Sequence, residues 1–346
     1  MDTETKIELV AKSPTEEIVT KEDLREIFQT YSHPHHYIGF EISGMVHLGS
    51  GLITLLKTKD FQKAGCKTTI WLADYHSWIN GKLGGDLESI KKIAKGYFKH
   101  AFISMGLENV EYKLASEVYD ADYWASVLKI SKDTTIKRML RCTTIMGRKE
   151  DENLSCAGII YPPMQAADIF LLDVQIAHAG MDQRNVHMLA REFSDKFKKK
   201  FTAVHHHLLC GLKGGDRMDP LEMKMSKSKP DSAIFIHDSE EEINSKIKKA
   251  YCPEKITKGN PVAEIAMYLI LRENPLKIER PEKFGGDMEI TSKEELEKVY
   301  LEGNLHPIDL KNAVAGELSK MLKPSRDYFE KNKNYLEELK DLKMTR

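Results

Sequence analysis

The sequence is most restrictive in what it lacks. Its five cysteines are odd in number and form no CxxC pair, which argues against a disulfide framework or thiolate metal site. Reduced, mostly buried thiols in a cytoplasmic protein are expected instead. No apolar run reaches about 18 residues, so a membrane-spanning helix is not expected. The N-terminus, Met1-Asp2-Thr3-Glu4-Thr5, is polar and acidic, unlike a signal or transit peptide. Net charge is lacking too, at −1 over 346 residues, so any nucleic acid would be met by local basic patches rather than a global field. Neither an internal repeat nor a low-complexity tract is found. What is present, 41% hydrophobic and 30% charged residues, is the balance of an ordinary globular chain, long enough for two domains.

Periodicity and caps order the elements. Residues 1–20 are charged and show no clear period. Lys21–Phe28 reads as a short amphipathic helix capped by Thr20. Strands are expected at Tyr37–Glu41, Thr68–Asp74 and Leu172–Ala177, and helices at Gly51–Lys57, Leu87–Met105 and Asp182–Phe193. Strands alternating with helices indicate an α/β fold with a parallel sheet. Such sheets hold ligands at the carboxyl ends of their strands, where the turns at His47 and Gly180 lie. From residue 233 the character changes to mainly helical. Ser239-Glu240-Glu241-Glu242 is a capping box, and further helices are expected at Val262–Leu271, Ser292–Tyr300, Asp309–Leu322 and Arg326–Leu342. The expected division is an N-terminal extension over 1–30, an α/β domain over 31–232 and a helical domain over 233–346.

Three segments carry chemistry. His47-Leu48-Gly49-Ser50 is a His/Gly turn between a strand and a helix. Gly49 and Gly51 would let the backbone approach phosphate oxygens, helix amides would face an anion, and the His47 imidazole could donate as charge shifts. Alone, the same string reads more readily as an ordinary turn. Downstream, Lys224-Met225-Ser226-Lys227-Ser228 sets two ammonium groups in a loop punctuated by Gly214-Gly215 and Pro230. Its plainer reading is a solvated basic loop. Together the two strings describe a nucleotide held between a fixed cradle and a movable cationic clamp, which suits adenylate formation with charge building on pyrophosphate. The third segment spaces Tyr161, Gln165 and Asp168 at i, i+4 and i+7 on one helical face, with Pro162 and Pro163 expected in its first turn. Apolar neighbours make Asp168 a carboxylate in a greasy wall, where it needs a partner: an internal cap, a salt bridge or a ligand.

At His47–Ser50 and Lys224–Ser228 the chain resembles the class I aminoacyl-tRNA synthetases, although Ser50 stands where the commonest form has histidine. With Tyr37–Glu41, Leu72–His76, the Tyr161 helix, Met181–Arg184 and Arg280–Asp287, the resemblance narrows to the archaeal and eukaryotic-type tyrosyl-tRNA synthetases. It runs from Tyr37 into the C-terminal third. It implies a Rossmann-like catalytic domain and a helical anticodon-binding domain. Its implied partners are ATP with Mg2+, L-tyrosine and tRNA(Tyr), and it implies a homodimer formed through an insertion around residues 110–165. By the same resemblance Tyr37 and Asp168 would bind the substrate phenol, and Tyr161, Gln165 and Gln183 its amino group. Asp182 would meet the ribose, while Gly39 and Gly49 make room for the nucleotide. His47, Gly49, Ser50, Lys224 and Lys227 would act on the phosphates, with Met225, Ser226 and Ser228 completing the ATP contact. His76 has two readings, as a wall of the tyrosine pocket or as packing. A tryptophan enzyme of the same subfamily and an RNA-binding paralogue without activity are the alternatives; the Tyr37/Asp168 pair favours tyrosine.

In the C-terminal part, Asp309 could accept from a guanine edge, and Phe284 or His306 could stack an unpaired base. The resemblance places these at anticodon-reading positions; the plainer reading of Asp309 is a favourable acid in a first helical turn. Arg184 is the candidate for the tRNA acceptor end, with Arg138 and Arg141 weaker, and Cys142 stands where relatives carry a further arginine. His205-His206-His207 reads as strand rather than metal site, and Lys198–Lys200 as a solvated face.

Overall fold

Six short runs rich in β-branched and aromatic residues pair into one sheet: β1 (Thr15–Val19), β2 (His35–Phe40), β3 (Lys67–Leu72), β4 (Glu111–Leu114), β5 (Ile176–Gly180) and β6 (Thr202–His206). The computed structural model describes residues 1–147, 154–214, 225 and 230–339. Strand order is β1-β6-β5-β2-β3-β4. Strands β2 to β6 run parallel, with Tyr37 opposite Thr69 on one side and Ala177 on the other. Strands β3, β5 and β6 are buried almost throughout, as expected where helices cover both faces. The chain leaves β2 towards β3 and β4 on one side and returns through β5 and β6 on the other. That reversal opens a crevice at the carboxyl ends of β2 and β5, and the His47 and Asp182 turns lie beside it.

Several expected boundaries are corrected. The first residues are ordered: a helix, Thr3–Ala11, is capped by Asp2, and β1 adds an antiparallel edge to β6. With alternation blurred by partial exposure along all five residues, this edge strand gave no period to read. Its charged Glu16 and Glu17 are typical of a protected edge. The strand expected at Leu172–Ala177 begins only at Ile176, because the preceding helix runs to Leu171 and Asp173 turns the chain with φ 51°. That helix, Cys156–Leu171, starts earlier than expected at the Ser155 cap, so Pro162 and Pro163 lie in its interior rather than its first turn. The helix expected over Leu87–Met105 is interrupted by a π segment, Ala94–Phe98, where Gly96 has ψ −109°. The caps at Thr20, Ser239 and Ser292 form as expected.

The C-terminal part is mainly helical, with one hairpin the sequence reading missed, β7 (Leu276–Ile278) against β8 (Met288–Ile290). The helix expected at Val262–Leu271 becomes Pro261–Ile265 continued as a π segment. The two helices expected at Asp309–Leu322 and Arg326–Leu342 are replaced by one, Pro307–Lys331, and a short Lys333–Glu337. The stripe Leu310, Val314, Leu318, Leu322, Ser325 and Phe329 is buried through the junction, so continuous packing outweighs the penalty of Pro324. One apolar core runs from Ile38 and Ile70 in the sheet to Leu318 and Phe329 in this helix. A second lies on the other face, around Tyr37, Trp71, Tyr123 and Tyr161. Among the described residues no helix is long and apolar enough to cross a membrane.

Candidate functional site

Strand alternation sends Tyr37 and Trp71 to the same face of the sheet, into the core that also holds Asp168. Asp168 is 1% exposed. Its Oδ2 accepts from the Trp71 indole N–H at 3.1 Å and its Oδ1 from the Tyr119 hydroxyl at 2.8 Å. Burial pushes its carboxyl well above the usual range, while the hydrogen bonds from Tyr119 and Trp71 pull the other way. Burial and then the Asp168 charge likewise raise the Tyr37 phenol. Tyr119 stacks on Tyr123 at 3.6 Å between ring centres, which fixes the donor that faces Asp168.

His76 closes the other side. Its Nε2 lies 3.9 Å from Asp168 Oδ2 and has no hydrogen-bond partner although buried. Burial holds this imidazole neutral, with its pKa lowered to about 3. A buried nitrogen in this position can take a polar partner from a ligand. The His76 ring packs edge-on against Tyr161 at 4.5 Å. Tyr161 donates to Glu41 at 2.9 Å, and Glu41 also accepts from Asn80 at 2.7 Å and pairs with Lys82 at 3.3 Å. Gln165 donates to Gln183 at 3.1 Å, and Gln183 in turn to the Ile145 carbonyl. The six candidate residues Tyr37, His76, Tyr161, Gln165, Asp168 and Gln183 therefore line one region. Trp71, Tyr119, Tyr123 and Glu41 were not singled out. An aromatic in a strand or helix reads as core, and only the fold shows that Trp71 meets Asp168.

The His47 turn follows the end of β2 and precedes the helix Leu52–Lys63. His47 Nδ1 accepts from the Gly49 amide at 3.2 Å, and Ser50 Oγ lies 3.3 Å from both the amide and the carbonyl of His47. Ser50 thus braces the turn's own backbone. A Cβ at Gly49 would come 3.2 Å from the His47 ring. Gly51 corrects the phosphate-approach reading: a Cβ there would meet Val46 at 2.8 Å and Ile236 at 2.9 Å, so this glycine serves packing beneath the turn. Leu48 N bonds Ile234 O, Ile236 N bonds Val46 O, and His47 bridges Phe235. The segment after the lysine loop therefore grips the turn from below. Lys224, Ser226, Lys227 and Ser228 lie outside the described residues. Met225 is buried, and its amide donates to Leu209 O at 2.8 Å.

After β5, Gly180 lets Asp182 approach, since a Cβ there would sit 2.8 Å from Asp182 Oδ1 and 2.5 Å from Leu208. Gly39 stands at the end of β2, and a Cβ there would contact Trp71 and Tyr37 at 3.5 Å. Arg184 is held by Glu17 of β1 at 2.9 Å, and Arg138 by Glu192 at 2.7 Å, with its Nη1 3.3 Å from Cys142 Sγ. The three histidines 205–207 diverge. His205 pairs with His187 at 3.0 Å and Glu17 at 2.8 Å, His206 with His178 at 2.8 Å, and His207 with Glu16 and Glu264. Among the described residues no group of three or more His, Cys, Asp or Glu could hold a metal ion.

At the far end of the helical part, Phe284 is 60% exposed on a 3-10 turn. Arg280, given no role of its own in the sequence reading, bonds Gly286 O at 2.6 Å and Asn304 O at 2.8 Å, drawing the Phe284 loop towards the start of the long helix. His306 caps that helix by accepting from the Ile308 amide at 3.2 Å, and Asp309 lies in its first turn. Phe284, His306 and Asp309 thus share one corner of the molecule.

Comparison with known proteins places the chain in a family. Residues 30–323 fit the family model for class I tRNA synthetases, W and Y. The tyrosine–tRNA ligases of Thermococcus gammatolerans and Thermococcus kodakarensis are 51% and 52% identical, and each alignment covers 100% of both chains. The crystal structure of tyrosyl-tRNA synthetase with L-tyrosine from Pyrococcus horikoshii superposes with TM-score 0.93 at 49% identity, covering 98% of this chain and 99% of that one. This chain belongs to the tyrosyl branch of the class I tRNA synthetase family.

Proposed function

We propose that the protein is a tyrosine–tRNA ligase that activates L-tyrosine with ATP and transfers it to tRNA(Tyr). The observation that carries the choice of amino acid is Asp168, buried at the back of the pocket beside Tyr37 and the unpaired His76 nitrogen. A phenol entering there finds acceptor and donor partners. Phenylalanine would leave the His76 nitrogen unpaired and Asp168 without a further donor beyond Trp71 and Tyr119, the kind of penalty for which tyrosine against phenylalanine is the standard illustration. Tyr161, Gln165 and Gln183 would hold the substrate amino group, and Asp182 the ribose. The tyrosine carboxylate attacks the α-phosphorus of ATP, the bond to pyrophosphate breaks, and tyrosyl-adenylate forms. The terminal ribose hydroxyl of tRNA then displaces AMP. Positioning and phosphate electrostatics supply the rate, from His47 and the Gly49 turn on one side and Lys224 and Lys227 on the other. Mg2+ would arrive with ATP, held mainly by its phosphates.

Phe284, His306 and Asp309 are the proposed anticodon readers, in a helical domain from residue 233, and Arg184 the contact for the acceptor end. Leu128 and Ile136, each 69% exposed, support dimerisation through the region 110–165, and a cytoplasmic location fits the work. The deciding measurement is tyrosine-dependent ATP–pyrophosphate exchange, with tryptophan and phenylalanine as controls. Exchange with tyrosine alone is expected. Exchange driven by tryptophan instead, or none at all, would sink this reading.

A further inference from the structure

The π segment Ala94–Phe98, between β3 and β4, reaches the His47 turn through a single side chain. Inserting an extra residue per turn reorients the downstream side chains, and such segments are frequent at functional positions. Here the side chain is Tyr97, which is fully buried. Its hydroxyl oxygen accepts from the Val46 amide at 2.9 Å. Val46 immediately precedes His47, and its carbonyl accepts from Ile236 at 3.1 Å. Both backbone groups of Val46 are therefore committed, one to the segment after the lysine loop and the other to Tyr97.

The C-terminal part holds Tyr97 in turn. Phe329, near the end of Pro307–Lys331, stacks on its ring at 5.5 Å and 29°. His237, two residues after the Phe235 bridge to His47, meets the same ring edge-on at 5.8 Å. The Tyr97 amide donates to Glu338 Oε2 at 3.3 Å. The Gly96 position leaves space for that carboxylate, since a Cβ there would lie 2.2 Å from Glu338 Oε2. Nearby, His100 stacks on Tyr335 at 3.8 Å, and Ser104 bonds Ser325 at 2.8 Å. The end of the chain thus clasps the π segment from outside while Tyr97 reaches inward to the turn.

We infer that Tyr97 is a positioning residue for the phosphate cradle, and that the clasp by Phe329 and Glu338 sets how firmly it holds. The inference rests on the assignment of the His47 turn to ATP. Tyr97 belongs to the core that also holds Ile38 and Phe329, whereas Tyr37, Trp71 and Tyr161 belong to the other, so its influence falls on the nucleotide step. Tyr97→Phe keeps the ring and its stacking on Phe329 but leaves the buried Val46 N–H without an acceptor. A lost partner of this kind is worth about a tenfold change.

The test is pyrophosphate exchange at varied ATP, alongside tyrosine affinity measured calorimetrically without ATP. Tyr97→Phe is expected to lower kcat/KM for ATP about tenfold and to leave tyrosine affinity within twofold of the unchanged protein. Phe329→Leu, which loosens the ring without touching Val46, is expected to shift the same parameter in the same direction by less. It also serves as the second variant should Tyr97→Phe fold poorly. Unchanged ATP kinetics in Tyr97→Phe would overturn the inference, as would a parallel loss of tyrosine affinity, which would mark general loosening. If the unchanged protein shows no tyrosine-dependent exchange, the functional assignment itself fails, and the two failures are told apart.

Discussion

Asp168 shows how much a single carboxylate depends on its neighbours. Burial favours its neutral form, yet donors from Tyr119 and Trp71 favour the anion, in which both oxygens are acceptors and would suit the proposed phenol. Asp168→Ala is expected to lower the kcat/KM preference for tyrosine over phenylalanine by about 10- to 100-fold, the worth of one buried hydrogen bond to a charged group. Trp71→Phe, which removes one donor and keeps an aromatic ring, should lower it in the same direction by less. Unchanged selectivity in both variants would remove Asp168 from its assigned place. The spacing of Tyr161, Gln165 and Asp168 was legible in the sequence because helical periodicity ties residues that are close along the chain. The Trp71 contact was not, because its partner is 97 positions away and a strand tryptophan reads as packing. Gly51 was legible as a requirement for glycine, but its cause lies with Val46 and Ile236 rather than with phosphate.

At the scale of elements, strands and caps were readable wherever local chemistry decides, as at Thr20, Ser239 and Ser292. The edge strand β1, the π segments and the uninterrupted helix through Pro324 were not, because each is fixed by what packs against it. Strand β6 carries a consequence for pH. Burial lowers the His206 pKa from 6.5 to about 4, and His76, at the other side of the sheet, falls to about 3. The folded chain binds these protons less tightly than the unfolded one. Stability is therefore full above about pH 6.5 and falls as pH drops towards the folded values. His207 runs the other way: burial lowers its pKa, but Glu16 and Glu264 outweigh that and raise it to about 9. Its contribution is full below about pH 6.5 and is lost as pH rises through 9. A melting-temperature series is expected to peak near neutrality, and His206→Gln should flatten the acid side. An identical acid slope in that variant would exclude His206 as a cause.

Across the whole molecule, the two parts share one core, and a buried charge cluster pins them together. Asp60 pairs with Lys57 at 3.0 Å and with Arg272, while Lys57 also bonds the carbonyls of Val10 and Lys12. This joins the N-terminal helix, the α/β part and the helical part at one point, an arrangement the sequence could not announce because each partner is an ordinary charged residue there. The proposed base-reading corner nevertheless lies at the start of Pro307–Lys331, about 30 Å along that helix from the Phe329 contact with Tyr97. Asp309→Ala is therefore expected to reduce tRNA charging about 10-fold or more, the range for losing one base contact, with pyrophosphate exchange intact. Equal damage to both steps would count against base reading.

The unbroken helix Pro307–Lys331 fixes a length and an angle at once. Its 25 residues span about 37 Å at 1.5 Å per residue. His306 and Asp309 stand at one end and the Phe329 contact at the other, with no joint between them. Adding a single residue would turn the far end by about 100° and swing Leu310, Val314 and Leu318 off the core. Inserting four would nearly restore the phase and advance the reading end by about 6 Å. The reach of this helix can therefore be retuned only in near-whole turns, so under the proposed reading it would act as a gauge of fixed span for the RNA.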